Sequence, residues 1–122
     1  MAIYSKVFET TSEHSAKHMG SGNLNVLSSP SLVAFMENAA YLFAQQSIEE
    51  PDLTTVGSEF ALQHLKASHI GQAVTVVITA LKEEGRKYDF RLEAFVGEEL
   101  IAKACHTRVR VEIKAFIDKI NN

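Results

Sequence analysis

Cysteine is almost absent from this chain. Cys105 stands alone among 122 residues, so no disulfide can close within it and nothing demands an oxidising compartment. With no low-pKa neighbourhood evident in its pattern, it reads as a buried structural thiol rather than a nucleophile. Clustered positive charge is absent as well. Twelve lysines and arginines stand against 15 aspartates and glutamates, a net charge of −3, so a nucleic-acid partner, which needs a basic face, is not expected. No apolar run reaches the roughly 18 residues of a membrane span, and the longest, Leu32 to Ala44, carries Glu37 and Asn38 inside it. The opening residues Met1 to Lys6 show no basic segment followed by a long apolar one. No signal peptide and no membrane attachment are therefore expected, and the cytoplasm is the default. Among five histidines, His14 and His18 alone share a helical ligand spacing, and their flanks Ser15, Ala16 and Lys17 read as an exposed loop or turn, so no metal is expected.

Proline and glycine are scarce, two and six, and they punctuate the chain. The length suits one domain over residues 1–122 with one core. Ile3 to Thr11 reads as a first strand, and Gly20-Ser21-Gly22-Asn23 as a mobile loop or flap. Ser29-Pro30 starts a helix, with serine as N-cap and proline at the first helical position, that runs to about Gln46 before Pro51. Its interior, including Leu32, Val33, Phe35, Met36, Ala39, Ala40, Leu42 and Phe43, leaves almost no polar face, which predicts a helix buried all round. Four β-branched, mostly alternating stretches follow: Thr54 to Lys66, Ala73 to Lys82, Lys87 to Val96 and Leu100 to Ile113. Short turns at Glu84-Gly85-Arg86 and Gly97-Glu98 make the last three an antiparallel meander. In the final strand the apolar positions change from even (Leu100, Ala102, Ala104) to odd (Val109, Val111, Ile113), which predicts a bulge or bend near His106. Ala115 to Ile120 closes the chain as a short helix. The fold class is α+β: a curved antiparallel sheet of about five strands wrapped around one long central helix, the hotdog arrangement. An exposed sheet edge and surplus apolar helix surface favour a homodimer, or a tetramer of paired dimers.

Glu37 is the sharpest chemical signal. A carboxylate on an apolar helix must find a cation, water or a proton, because burying it charged and alone is very costly. That suits a general base or acid, and it equally suits an interface glutamate paired with a lysine or with Asn38. Ser29 is a helix cap on its pattern, yet the N-terminus of a buried helix also offers oriented N–H groups to an oxyanion. Ser29 and Glu37 lie about 12 Å apart along a regular helix. A site using both needs a substrate that spans them, an irregular helix start, or two subunits. His64 falls on the strand face of Val56, Phe60 and Leu62 and reads either as an inert core-edge histidine or as an orienting or proton-transfer group. Gly57 inside a strand marks a sheet bend or a place where a ligand meets the backbone. Arg108 and Arg110, with Lys66 and Lys103, are cations for phosphate groups or are simply solvated.

The run Gly20-Ser21-Gly22-Asn23-Leu24-Asn25-Val26-Leu27-Ser28-Ser29-Pro30, continued by Met36-Glu37-Asn38-Ala39-Ala40, resembles small bacterial hotdog thioesterases related to fluoroacetyl-CoA thioesterase. So do Thr55-Val56-Gly57, Gln63-His64-Leu65-Lys66-Ala67 with Gly71, and Cys105-His106-Thr107-Arg108. The match covers nearly the whole chain in order and spacing. It implies an acyl-CoA thioester hydrolase whose catalytic hydroxyl is Ser29, where threonine is usual in the family, with Glu37 as the glutamate and His64 as the histidine. It further implies Gly57 near the thioester, Arg108 as the late-strand arginine, acyl-CoA as substrate, and no cofactor beyond the CoA of the substrate itself. The fluoroacetyl-specific enzyme carries two phenylalanines in the flap where Gly20 and Asn23 stand here, which implies a different acyl group. Two other classes use the same fold: a non-catalytic acyl-CoA-binding module, and an enoyl-thioester hydratase or dehydratase, whose longer helical histidine–carboxylate motif is not seen.

Overall fold

The computed structural model describes residues 2–122. Strand β1 (Tyr4–Phe8) leads through a 3-10 turn (Ser12–His14) and a short helix α1 (Ala16–Met19) to the long helix α2 (Ser29–Gln46). Strands β2 (Leu53–His64), β3 (Val74–Glu84), β4 (Lys87–Val96) and β5 (Glu99–Glu112) follow, and helix α3 (Ile113–Ile120) ends the chain. All five strands form one antiparallel sheet in the order β1-β3-β4-β5-β2. The strand count, the meander and the closing helix match the expectations from the sequence.

Strict alternation builds the inner face of the sheet. Val74, Val76 and Ile78 of β3 and Tyr88, Phe90, Leu92 and Ala94 of β4 are all buried. Helix α2 lies on that face through Leu32, Phe35, Met36, Ala39, Ala40 and Ala44, three and four residues apart as one helical stripe requires. Burying each large side chain contributes roughly 1.5–3 kcal/mol, so this seam dominates stability. At its C-terminal end α2 is tied to β2: Thr54 Oγ1 donates to Gln45 Oε1 (3.0 Å), and Gln45 Nε2 donates to the Leu53 carbonyl (3.3 Å).

Several expectations change, each for a local reason. The helix cap is Ser28, not Ser29: its Oγ accepts from Ser31 N (3.1 Å) and donates to Ser31 Oγ (2.8 Å). Leu27 before the cap and Leu32 in the first turn are buried in the same cluster, the apolar pairing that fixes a helix entry. The helix is buried along one stripe only, since Ala34 and Tyr41 are exposed and Val33, Glu37, Asn38 and Leu42 half-buried. No register shift occurs at His106 on β5. The shifts lie at Ser58 on β2, between Gly57 and Glu59, and at Ile101 on β5, opposite Ala94 and Phe95 of β4. The even face of β5 continues unbroken through Ala102, Ala104, His106 and Arg108, all buried, so the polar pair replaces apolar residues on the same inner face. On β2 the extra residue Ser58 separates Thr55 and Gly57 from Phe60, Leu62 and His64, and Val56 faces away from His64. Cys105 is exposed, because an odd position on β5 faces outward. The stretch after α1 is closed by bonds: Ser21 N donates to Ala16 O (3.0 Å) and Lys17 N to Leu24 O (3.1 Å). Gly20 stands at φ +75° as the left-handed cap of α1.

Candidate active site

Helix α2 and strand β2 together place two groups of polar side chains. The first forms where α2 begins. Because Ser28 takes the cap, Ser29 is left with a free hydroxyl, and its Oγ is hydrogen-bonded to His64 Nδ1 at 2.8 Å. His64 stands at the far end of β2 on its inner face. Burial lowers its pKa below the ordinary histidine value, the backbone at Lys66 offsetting part of this, and Nε2 is buried without a hydrogen-bond partner. A groove of about 350 Å³ opens beside the pair, lined by Ser21, Leu27, Ser28, Lys66 and Ala67 among others. The cap also consumes the helix-start donors. Pro30 has no N–H, Ser31 N and Leu32 N both bond to Ser28, and the Ser29 N–H alone is left of the expected oxyanion donors.

The second group forms two turns later. Glu37 projects from the half-buried side of α2 toward β2, where the missing side chain of Gly57 makes room for it. A Cβ at Gly57 would lie 2.6 Å from Glu37 Oε2, 3.2 Å from His106 Cε1 and 3.6 Å from Arg108 Nη1. Glycine inside this strand therefore serves both possibilities its pattern allows, a bulge directly after it and a close approach to its backbone. Glu37 Oε2 is 3.9 Å from both Arg108 Nη1 and His106 Nε2, and the Glu37 side chain is 42% exposed. Lys6 pairs instead with the neighbouring Asn38, Nζ to Oδ1 2.7 Å.

Arg108 is not a solvated cation. It is buried, with Nε donating to Thr55 Oγ1 (2.8 Å), Nη2 to the Thr55 carbonyl (3.0 Å) and Nη1 to His106 Nε2 (3.1 Å). Its Cζ lies 5.8 Å from the Tyr41 ring. Burial lowers its pKa, opposed by the charge of Glu37. Lys66 and Lys103 stay at the surface, Lys66 paired to Glu99, and Arg110 is half-buried.

The structure thus joins Ser29 to His64, and Glu37 to Gly57 and Arg108. The two groups stand eight residues apart on one unbroken helix, about 80° around its axis. An irregular helix start is ruled out. Two residues of the second group, His106 and Thr55, stand in the runs that carry the resemblance, but the sequence assigned them no role in the site. The signal that could have found His106 is its even position on β5, in phase with Ala102, Ala104 and Arg108.

Residues 10–114 match a family model described as the fluoroacetyl-CoA-specific thioesterase, FlK. Among solved structures, the fluoroacetyl-CoA thioesterase FlK superposes with a TM-score of 0.88 at 22% identity, over 97% of this chain and 91% of that one. A hot-dog-like protein from Thermanaerovibrio acidaminovorans gives 0.87 at 16% identity, over 98% and 88%. A thioesterase superfamily member from Thermus thermophilus gives 0.85 at 22% identity, over 97% and 89%. No curated protein matches the sequence. At these identities the superpositions show the fold, which is the hotdog. The family match runs from just after β1 into α3 and takes in Ser29, Glu37, Gly57, His64 and Arg108 together. The chain belongs to the fluoroacetyl-CoA-specific thioesterase family and is a thioester hydrolase.

Proposed function

We propose that this enzyme hydrolyses a small acyl-CoA thioester, with Glu37 driving the reaction, Ser29 and His64 assisting, and Gly57 and Arg108 bordering the acyl end. The observation that carries the proposal is the seating of Glu37: its carboxylate fills the space over Gly57, half open to solvent, beside a buried guanidinium. A solved variant of the thioesterase FlK holds fluoroacetate and CoA, which fits a CoA thioester as the substrate class. Glycine and asparagine at positions 20 and 23 argue for an acyl group other than fluoroacetyl. The neighbourhood of Arg108 supports a role at the carboxylate rather than at CoA phosphates, since its guanidinium faces Thr55, His106 and Glu37.

Two routes balance. In one, Glu37 takes a proton from water as the water oxygen attacks the thioester carbonyl; the C–S bond then breaks and the departing thiolate takes up the proton. In the other, a Glu37 oxygen attacks, expelling thiolate and leaving an anhydride that water cleaves. A single turnover in heavy-oxygen water separates them, because solvent oxygen enters the Glu37 carboxylate only by the anhydride.

We also infer a homodimer. Exposed Ala34 and Tyr41 on α2, and the unpaired edge of β2, offer the surface a second copy would cover. On a twofold, the Ser29–His64 pair of one protomer would complete the Glu37 group of its partner. An exposed, unpaired Cys105 fits a reducing compartment, the cytoplasm. Release of free thiol across a panel of short acyl-CoAs and pantetheine-linked carriers tests the function. Turnover is expected in the wild type. Glu37→Gln should lose on the order of 100-fold or more in kcat/KM, with smaller losses in Ser29→Ala and His64→Ala. Full activity in Glu37→Gln sinks the assignment.

A further inference from the structure

We propose that His106 is a positioning residue for this reaction: its ring holds the Arg108 guanidinium one step back from Glu37, leaving the carboxylate free to react. The proposal rests on Glu37 being the reacting carboxylate. His106 occupies the middle of β5, facing Phe60 across one ladder and Phe90 across the other, and its side chain is wholly buried. The ring centroid is 4.8 Å from that of Phe60 and 6.2 Å from that of Phe90. Nδ1 lies 2.8 Å from the Glu59 carbonyl, and Nε2 lies 3.1 Å from Arg108 Nη1.

These partners leave one protonation state. A carbonyl only accepts, so Nδ1 carries the hydrogen; a guanidinium only donates, so Nε2 presents its lone pair. A second N–H would point at a cation. Burial first, and the Arg108 charge after it, lower the His106 pKa against the opposing pull of the Glu59 carbonyl and the Glu37 carboxylate.

Arg108 is consequently pinned on three sides: Nε and Nη2 on Thr55, Nη1 on His106. A planar guanidinium held at three points cannot turn. Nη1 is also the nitrogen nearest Glu37 Oε2, at 3.9 Å, too far for a hydrogen bond. Without the Nε2 acceptor, Nη1 would be an unpaired buried donor beside a carboxylate, and the guanidinium would close onto Glu37 and tie it up.

The test compares H106L, which has no acceptor, with H106Q, whose amide supplies both an acceptor and a donor. In H106L, kcat should fall on the order of 10- to 100-fold, the scale set by a displaced reacting group, with KM little changed. H106Q should recover most of that loss. Nitrogen NMR of the wild-type enzyme, which needs no variant to fold, should show His106 neutral with its proton on Nδ1. The Arg108 Nη signals should move in H106L and return in H106Q. An unchanged kcat in folded H106L, no recovery in H106Q, or a charged or Nε2-protonated His106 each overturns the proposal. Full activity in Glu37→Gln would overturn Glu37 as the reacting carboxylate and the proposal with it, whereas a charged His106 ring beside an inactive Glu37→Gln overturns the positioning alone.

Discussion

A methyl group added at Gly57 would sit 2.6 Å from Glu37 Oε2 and 3.2 Å from His106 Cε1. The first clash is with the far end of a flexible side chain, so the fold can absorb it by moving the carboxylate. Gly57→Ala should therefore remain folded, with a modest fall in Tm, while kcat drops on the order of tenfold or more; a thermal melt beside a thiol-release assay checks both. Charge at this scale also sets a pH dependence. His64 and His106 are both held below the ordinary value of 6.5, in each case mainly by burial. Above 6.5 neither the folded nor the unfolded chain protonates them, and there is no penalty. As pH falls below that, the unfolded chain takes up protons first, so stability declines until pH passes below the folded values. Tm should hold steady above about 6.5 and fall below it, less steeply in H106Q. Glu37 and Gly57 were legible in the sequence because each breaks its local pattern, a carboxylate among apolar helix residues and a glycine among β-branched ones. His106 was hidden because a polar residue on an inner strand face looks the same, in sequence, as the end of that face.

At the scale of elements, one residue of helix register separates structure from chemistry. Ser28 caps α2, and Ser29, the next residue, carries the hydroxyl that meets His64. Ser28→Ala should lower stability by about 0.5–2 kcal/mol, the cost of a lost N-cap. Ser29→Ala should leave Tm nearly unchanged and reduce turnover, and denaturant melts of the two variants check the contrast. The sequence Ser28-Ser29-Pro30-Ser31 permits either serine as cap, since proline is tolerated throughout the first turn. What favours Ser28 is packing: with the helix entering there, Leu27 and Leu32 both bury in the core. The β2 bulge works likewise. One extra residue, Ser58, puts Gly57 against Glu37 on one side of it and aims His64 at Ser29 on the other.

For the whole molecule, the regular run of α2 keeps Ser29 and Glu37 eight residues and about 80° apart, so a site using both needs a substrate that spans them or a second copy. Mixing two impaired variants, Ser29→Ala and Glu37→Gln, tests this, read as activity above the mean of the pair. If the partner subunit's Glu37 completes the Ser29–His64 group, each mixed dimer keeps one intact site, and random re-pairing restores about a quarter of wild-type activity. If each chain holds its own site, mixing restores nothing. By itself the sequence determined the element order, the α+β class and the alternating faces of the strands, because side-chain periodicity and turn residues are local properties written along the chain. Only the tertiary structure decided which serine caps, where the bulge falls, and that Arg108 is buried against Thr55 and His106 rather than solvated. Those outcomes depend on partners supplied by distant strands, and no local pattern encodes which partners will meet.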